Sequence, residues 1–188
     1  MSIRSSITAL LMGLLIALPS LAEPVAATDS ATGEPGAWRS QKTELVYMGF
    51  TSTYSCDGLQ GKLELLLRQL GARQGFKVNA YGCERGYGTP SRFPRATLEF
   101  STLQPVDAAG QDSTVSGVWR TVELAPHHPF DLQDGDCELM EQFRDKILPL
   151  FATRGLQVRT TCVPHQDTGG PFDLQMQVFT ALAPSKSK

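Results

Sequence analysis

Apolar residues recur at two periods along the middle of the chain, and the two periods predict helices and strands in a repeating order. Leu59, Leu63, Leu66, Leu67 and Leu70 follow the i, i+4, i+7, i+8, i+11 spacing of a helix with one buried face. The pattern predicts a helix over residues 57–69, capped by Ser55 or Asp57 and ended by Gly71. A second stripe, Leu139, Met140, Phe143, Ile147, Leu150 and Phe151, predicts a helix that starts near Asp134 or Asp136 and stops at Gly155. Pro149 lacks an N–H and its ring crowds the preceding turn, so a kink or an early end is expected there.

Stretches rich in strand formers flank each helix. Residues 44–50 precede the first helix, and residues 117–124 precede the second. In the latter, Val118, Val122 and Leu124 share an alternating face, with Arg120 as a polar break in it. Residues 76–81 and 96–103 follow the first helix, and residues 156–161 and 172–182 follow the second. The order is βαββ twice.

The two copies also match in register. At an offset of 80, Leu59 falls on Leu139, Leu63 on Phe143, Leu67 on Ile147, Leu70 on Leu150 and Val78 on Val158. Cys56 and Cys83 fall within one residue of Cys137 and Cys162. The chain therefore reads as a tandem duplication. The expected fold class is α+β: two βαββ repeats over residues 43–104 and 117–182, joined by a linker at 105–116. The helices pack on one face of a mainly antiparallel sheet, with one disulfide per repeat. In a strand-helix-strand unit the helix starts where the first strand ends, and the second strand returns to that end. Cys56 should then meet Cys83, and Cys137 should meet Cys162.

The N-terminus changes the picture of where the chain works. Residues 1–22 carry one cation, Arg4, then an apolar run, then small residues at Ser20 and Ala22. This is the pattern of a secretory signal peptide cleaved before Glu23. Four cysteines in an exported chain read as two disulfides. Residues 23–42 read as a disordered leader and residues 183–188 as a disordered tail. Periplasm or release outside the cell is the expected location. Loss of Arg4 makes the chain one unit more negative than its formal −2. No basic stripe for nucleic acid is present, the N-terminal apolar run is too short to span a bilayer comfortably, and no later stretch is apolar enough to span one.

Candidate chemistry gathers in the loops that this topology places at one end of the molecule. The loop around Arg85, Tyr87 and Arg92 carries glycines, tyrosines and arginines suited to anions, sugars or protein surfaces. Opposite it lies a hydroxyl row at residues 51–55. The three histidines, His127, His128 and His165, also fall in loops, with Asp131 nearby. They could hold zinc or another divalent metal, although their spacing matches no ligand motif and neighbouring side chains of an extended segment point apart. No nucleophile elbow, His-Glu-x-x-His or Cys-x-x-Cys motif occurs. No resident cofactor is expected.

The leading expectation is an exported, soluble, non-catalytic binding protein whose partner is an envelope protein or a small ligand. The alternative is a metal-dependent envelope protein or hydrolase using His127, His128, Asp131 and His165. A third reading is a subunit that pairs through a free sheet edge.

Overall fold

The structure, a computed structural model, describes residues 33–50, 52–106, 115–162 and 171–182. The expected signal segment, the tail and His165 lie outside these residues. In chain order the elements are β1 (Glu34–Val46), α1 (Cys56–Gln69), β2 (Lys77–Tyr81), the short strands β3 (Glu84–Arg85) and β4 (Thr89–Pro90), β5 (Arg95–Pro105), β6 (Val115–Leu124), α2 (Cys137–Lys146), β7 (Thr153–Thr160) and β8 (Phe172–Ala181). Six strands form one sheet in the order β2-β5-β1-β6-β8-β7, and every neighbouring pair is antiparallel. The fold is α+β, with two helices and two disulfides.

The disulfides join Cys56 to Cys83 and Cys137 to Cys162, with Cα–Cα distances of 5.4 and 5.9 Å. These are the pairs the topology argument selects. Each bond ties the start of a helix to the chain just beyond the next main-sheet strand.

Register shows which side chains share a face, because directly paired residues point the same way. Leu45, Ala96, Leu98 and Phe100 lie on one face of the β1–β5 pair, and Val122, Leu124, Leu174, Met176 and Val178 on one face of the β6–β8 pair. These residues join Leu59, Leu63, Leu66 and Leu67 of α1 and Leu139, Met140 and Phe143 of α2 in a single buried cluster.

The helix ends follow the expected chemistry. Ser55 Oγ accepts from the Gly58 N–H at 3.1 Å and caps α1, so Ser55 rather than Asp57 takes the role. At the other end Gly71 sits at φ +74°, its N–H donating to Arg68 O and that of Ala72 to Leu67 O. This pair of bonds is a Schellman motif. The α2 helix ends at Lys146, ahead of a turn at Leu148–Leu150 that holds Pro149, in line with the expected early end.

The remaining helix-end carbonyls are taken up across the molecule. Arg120, the polar break in its strand, donates from Nη2 to Gln69 O at the end of α1. Leu150 O, just beyond α2, accepts from Thr102 Oγ1 at 3.0 Å and Gln104 Nε2 at 3.1 Å on β5. Each half thereby supplies donors to the helix end of the other, satisfying groups that a helix leaves open.

Three boundaries differ from the sequence reading. The leader does not extend to residue 42: β1 begins at Glu34 and pairs with β5 from Gly36 to Val46. Its paired positions Arg39, Gln41 and Thr43 are polar, so backbone pairing holds this strand and no apolar alternation announces it. The linker at 105–116 also shrinks, since Pro105 belongs to β5 and Val115 to β6. Gly155 does not stop α2; at φ +64° it sits in β7, at the irregularity between Arg154 and Gln157.

The longer β1 brings a second feature into view. The chain reads Gly36-Ala37-Trp38-Arg39-Ser40 and again Gly117-Val118-Trp119-Arg120-Thr121. On the outer face of the sheet Trp38 pairs with Leu103 and Trp119 with Phe179. The Arg73 guanidinium stands 5.7 Å from the Trp38 ring, and that of Arg154 stands 4.2 Å from the Trp119 ring. A Cβ on either Gly36 or Gly117 would overlap the Phe179 ring, so both glycines make room for it. Leu103 and Phe179 are each 1% exposed. The outer face thus covers its own apolar centre with two tryptophan–arginine pairs.

Candidate functional site

Of the four loops expected at one end, over residues 51–56, 83–95, 125–136 and 162–171, the first three meet through their described residues. The segment after β1 runs beside the return from the β3–β4 hairpin, with Tyr47 N–H donating to Pro94 O at 2.9 Å and Gly49 N–H to Arg92 O at 2.7 Å. The same segment reaches the loop before α2, where Ser52 Oγ donates to Gly135 O at 2.6 Å. Most of the fourth loop, residues 163–170, lies outside the described residues.

A buried polar network fastens these loops together. Asp136 is 3% exposed and sits at the N-terminal end of α2. Its Oδ1 accepts from the Tyr54 hydroxyl at 2.5 Å. Its Oδ2 accepts from Lys62 Nζ at 2.6 Å and from the Gln133 N–H at 2.7 Å. Lys62 also donates to the main-chain carbonyl of Asp131. Nearby, Glu138 accepts from the Phe50 N–H at 2.7 Å, and Tyr47 donates to Ser52 O at 2.9 Å. Gln142 binds both the N–H and the C=O of Met48 at 2.9 Å, imitating a neighbouring strand.

Burial, and then the Asp136 charge and hydrogen bond, push the Tyr54 phenol well above the usual tyrosine range. Burial, and then the charges of Glu138 and Asp136, do the same for Tyr47. Both remain protonated donors at any physiological pH. The bonds at Asp136 satisfy both of its oxygens, so the network braces the loops against each other.

Outside this brace the surface is aromatic and cationic. Cys83 anchors the hairpin covalently, and Ser91 N–H donates to Cys83 O at 2.7 Å. At its tip Tyr87 lies between Gly86 and Gly88 at φ +66°, with its side chain fully exposed. The Arg85 guanidinium stands 5.9 Å from the Phe93 ring, which meets the Phe50 ring edge-on at 6.4 Å. Arg92 is exposed and uses its carbonyl to hold Gly49.

The loop before α2 presents its own rings. His127 has φ +64° and lies 6.5 Å from Phe130, which is 79% exposed. His128 is exposed, and its main chain pairs with Ala125. Among the described residues no three His, Cys, Asp or Glu side chains gather into a metal-holding group.

The sequence reading singled out Arg85, Tyr87 and Arg92 but missed the brace beneath them. Tyr54 was one of a row of hydroxyls, Asp136 one of two possible caps, and Lys62 was not singled out. Nothing in their spacing links residues 74 positions apart. The tryptophan–arginine pairs were legible in principle from the repeated Gly-x-Trp-Arg-(Ser/Thr) string. No protein-family model matches the chain, and comparisons with curated proteins and with solved structures return no match.

Proposed function

We propose that this chain is an exported, non-catalytic binding protein made of two βαββ copies, with the braced loop end as its recognition surface. The observation that carries this reading is Tyr87. A bulky residue on left-handed backbone is disfavoured by about 1 kcal/mol or more, and its ring makes no compensating burial within the chain. Such an outlier, on a hairpin held by a disulfide, supports a ring presented to something else.

Duplication is supported by the strand order, which places each copy's third strand between its other two and sets the copies edge to edge. The repeated pentapeptide adds to it. Export is supported by the signal-like N-terminus, and the two disulfides are consistent with an oxidising compartment. No helix among the described residues is long and apolar enough to cross a membrane.

The test is capture of partners from envelope extract by the oxidised protein beginning at Glu23. A partner lost on Tyr87→Ala and Arg85→Ala, with unfolding midpoints unchanged, supports the reading. A partner retained by both variants places the surface elsewhere. We read His127, His128, Asp131 and His165 as loop residues, so gently purified protein should carry no stoichiometric metal. Zinc at one equivalent, lost on His128→Ala, would establish the metal-dependent alternative.

A further inference from the structure

We propose that the strip formed by Val46, Met48, Phe50 and Phe93, with Arg85 above it, docks an acidic segment of a partner polypeptide that carries apolar side chains. This rests on the loop end being the recognition surface and adds the chemistry of what it recognises.

The strip follows from register. The bonds from Tyr47 to Pro94 and from Gly49 to Arg92 continue the β1–β5 pairing past Val46 and Arg95. Met48 therefore stands opposite Phe93. Alternate residues of an extended segment share a face, which aligns Val46, Met48 and Phe50. Val46 and Met48 are each 42% exposed and Phe93 is 45% exposed. Elsewhere Tyr81, Tyr87, Phe130, Leu156, Val158 and Leu182 are exposed, whereas Leu103 and Phe179 at the centre of the outer sheet face are buried beside the tryptophan–arginine pairs.

The exposure is built in. Gln142 holds both main-chain groups of Met48, and Glu138 takes the Phe50 N–H. A backbone fixed from beneath while its apolar side chains face water is the arrangement of a docking site.

Charge indicates the occupant. Residues 84–95 carry three arginines and one glutamate, in a chain whose formal charge is −2. Among the described residues Arg95 is paired with Glu44, whereas Arg85 and Arg92 make no ion pair. The Arg85 guanidinium, which makes no ion pair and stands 5.9 Å from the Phe93 ring of the strip, complements carboxylates interspersed with apolar groups. The aliphatic side chains Val46 and Met48 favour polypeptide over glycan, since they offer no flat face for a sugar ring.

The experiment measures fluorescence anisotropy of the oxidised protein with three probes. They are a degenerate peptide pool alternating Asp or Glu with Leu or Phe, the same pool with Lys for the acids, and heparin as an anionic glycan. The acidic pool should bind, and Met48→Ser and Arg85→Glu should each weaken it by about tenfold or more. Salt at about 0.5 M should weaken it as well. Equal binding of the basic pool, or no acidic-pool binding up to about 1 mM, overturns the proposal. Heparin bound in preference, and lost on Arg85→Glu and Tyr87→Ala, overturns the polypeptide partner and leaves the loop-end reading standing. Binding of any probe unchanged by all three substitutions overturns both.

Discussion

At the scale of single residues, Asp136 decides how the loops are held. It is buried, charged, and joined to Tyr54, Lys62 and the Gln133 main chain. Asp136→Ala would leave the part-buried Lys62 ammonium without its carboxylate, a defect that costs about 3 kcal/mol or more in such sites. Urea unfolding should show that loss, whereas Glu123→Ala on the exposed outer face should stay within about 0.5 kcal/mol of the parent. The tyrosines set the alkaline limit. Their folded pKa values lie above that of an unfolded tyrosine, about 10. The stability they contribute is thus complete below about pH 10 and is lost as pH rises towards the folded values. Unfolding free energy should fall more steeply above pH 10 in the parent than in Tyr54→Phe. An equal slope in both would mean that Tyr54 ionises freely in the folded protein.

Among the elements, the helices were legible because one period of one residue class specifies them. Leucines mark the buried stripe of α1, Ser55 and Gly71 its ends, and Pro149 the break after α2. Most of the first strand was not, because its inward positions Arg39, Gln41 and Thr43 are polar and its β5 partners lie 49 or more residues away. The Gly-x-Trp-Arg-(Ser/Thr) string now has a physical account in its second copy. Glycine opens a hollow on the outer face, tryptophan roofs it beside a stacked arginine, and the following arginine turns inward to a helix end. Gly117→Ala should therefore destabilise by about 1–3 kcal/mol through overpacking against Phe179. The paired change Phe179→Leu should recover part of that loss. Simple addition of the two effects in a double-mutant cycle would mean that the glycine and the ring do not interact.

In the whole molecule, two covalently closed halves complete each other. Their helix-end carbonyls are satisfied across the junction, and the Tyr54–Asp136–Lys62 brace joins the loop after β1 to the loop before α2. Each disulfide closes a loop of similar length, with separations of 27 and 25 residues, and each should contribute about 3.5 kcal/mol on a chain-entropy estimate. Replacing Cys56 and Cys83 together by Ser should lower stability by that order. It should also release the hairpin more than the α2 region, as read by amide hydrogen exchange.

The sulfur pairing could be reasoned from the sequence, because cysteine count and topology constrain it. The proposed recognition surface could only be outlined, because its brace depends on contacts between distant residues, and such contacts leave no spacing to read. The most direct test of the central claim, that this braced loop end meets a partner, is site-specific photo-crosslinking in cells. A photoreactive amino acid replaces Tyr87 in one strain and Thr121, on the outer sheet face, in another. The account predicts a discrete adduct from position 87 and none from position 121. An adduct confined to position 121 would contradict it.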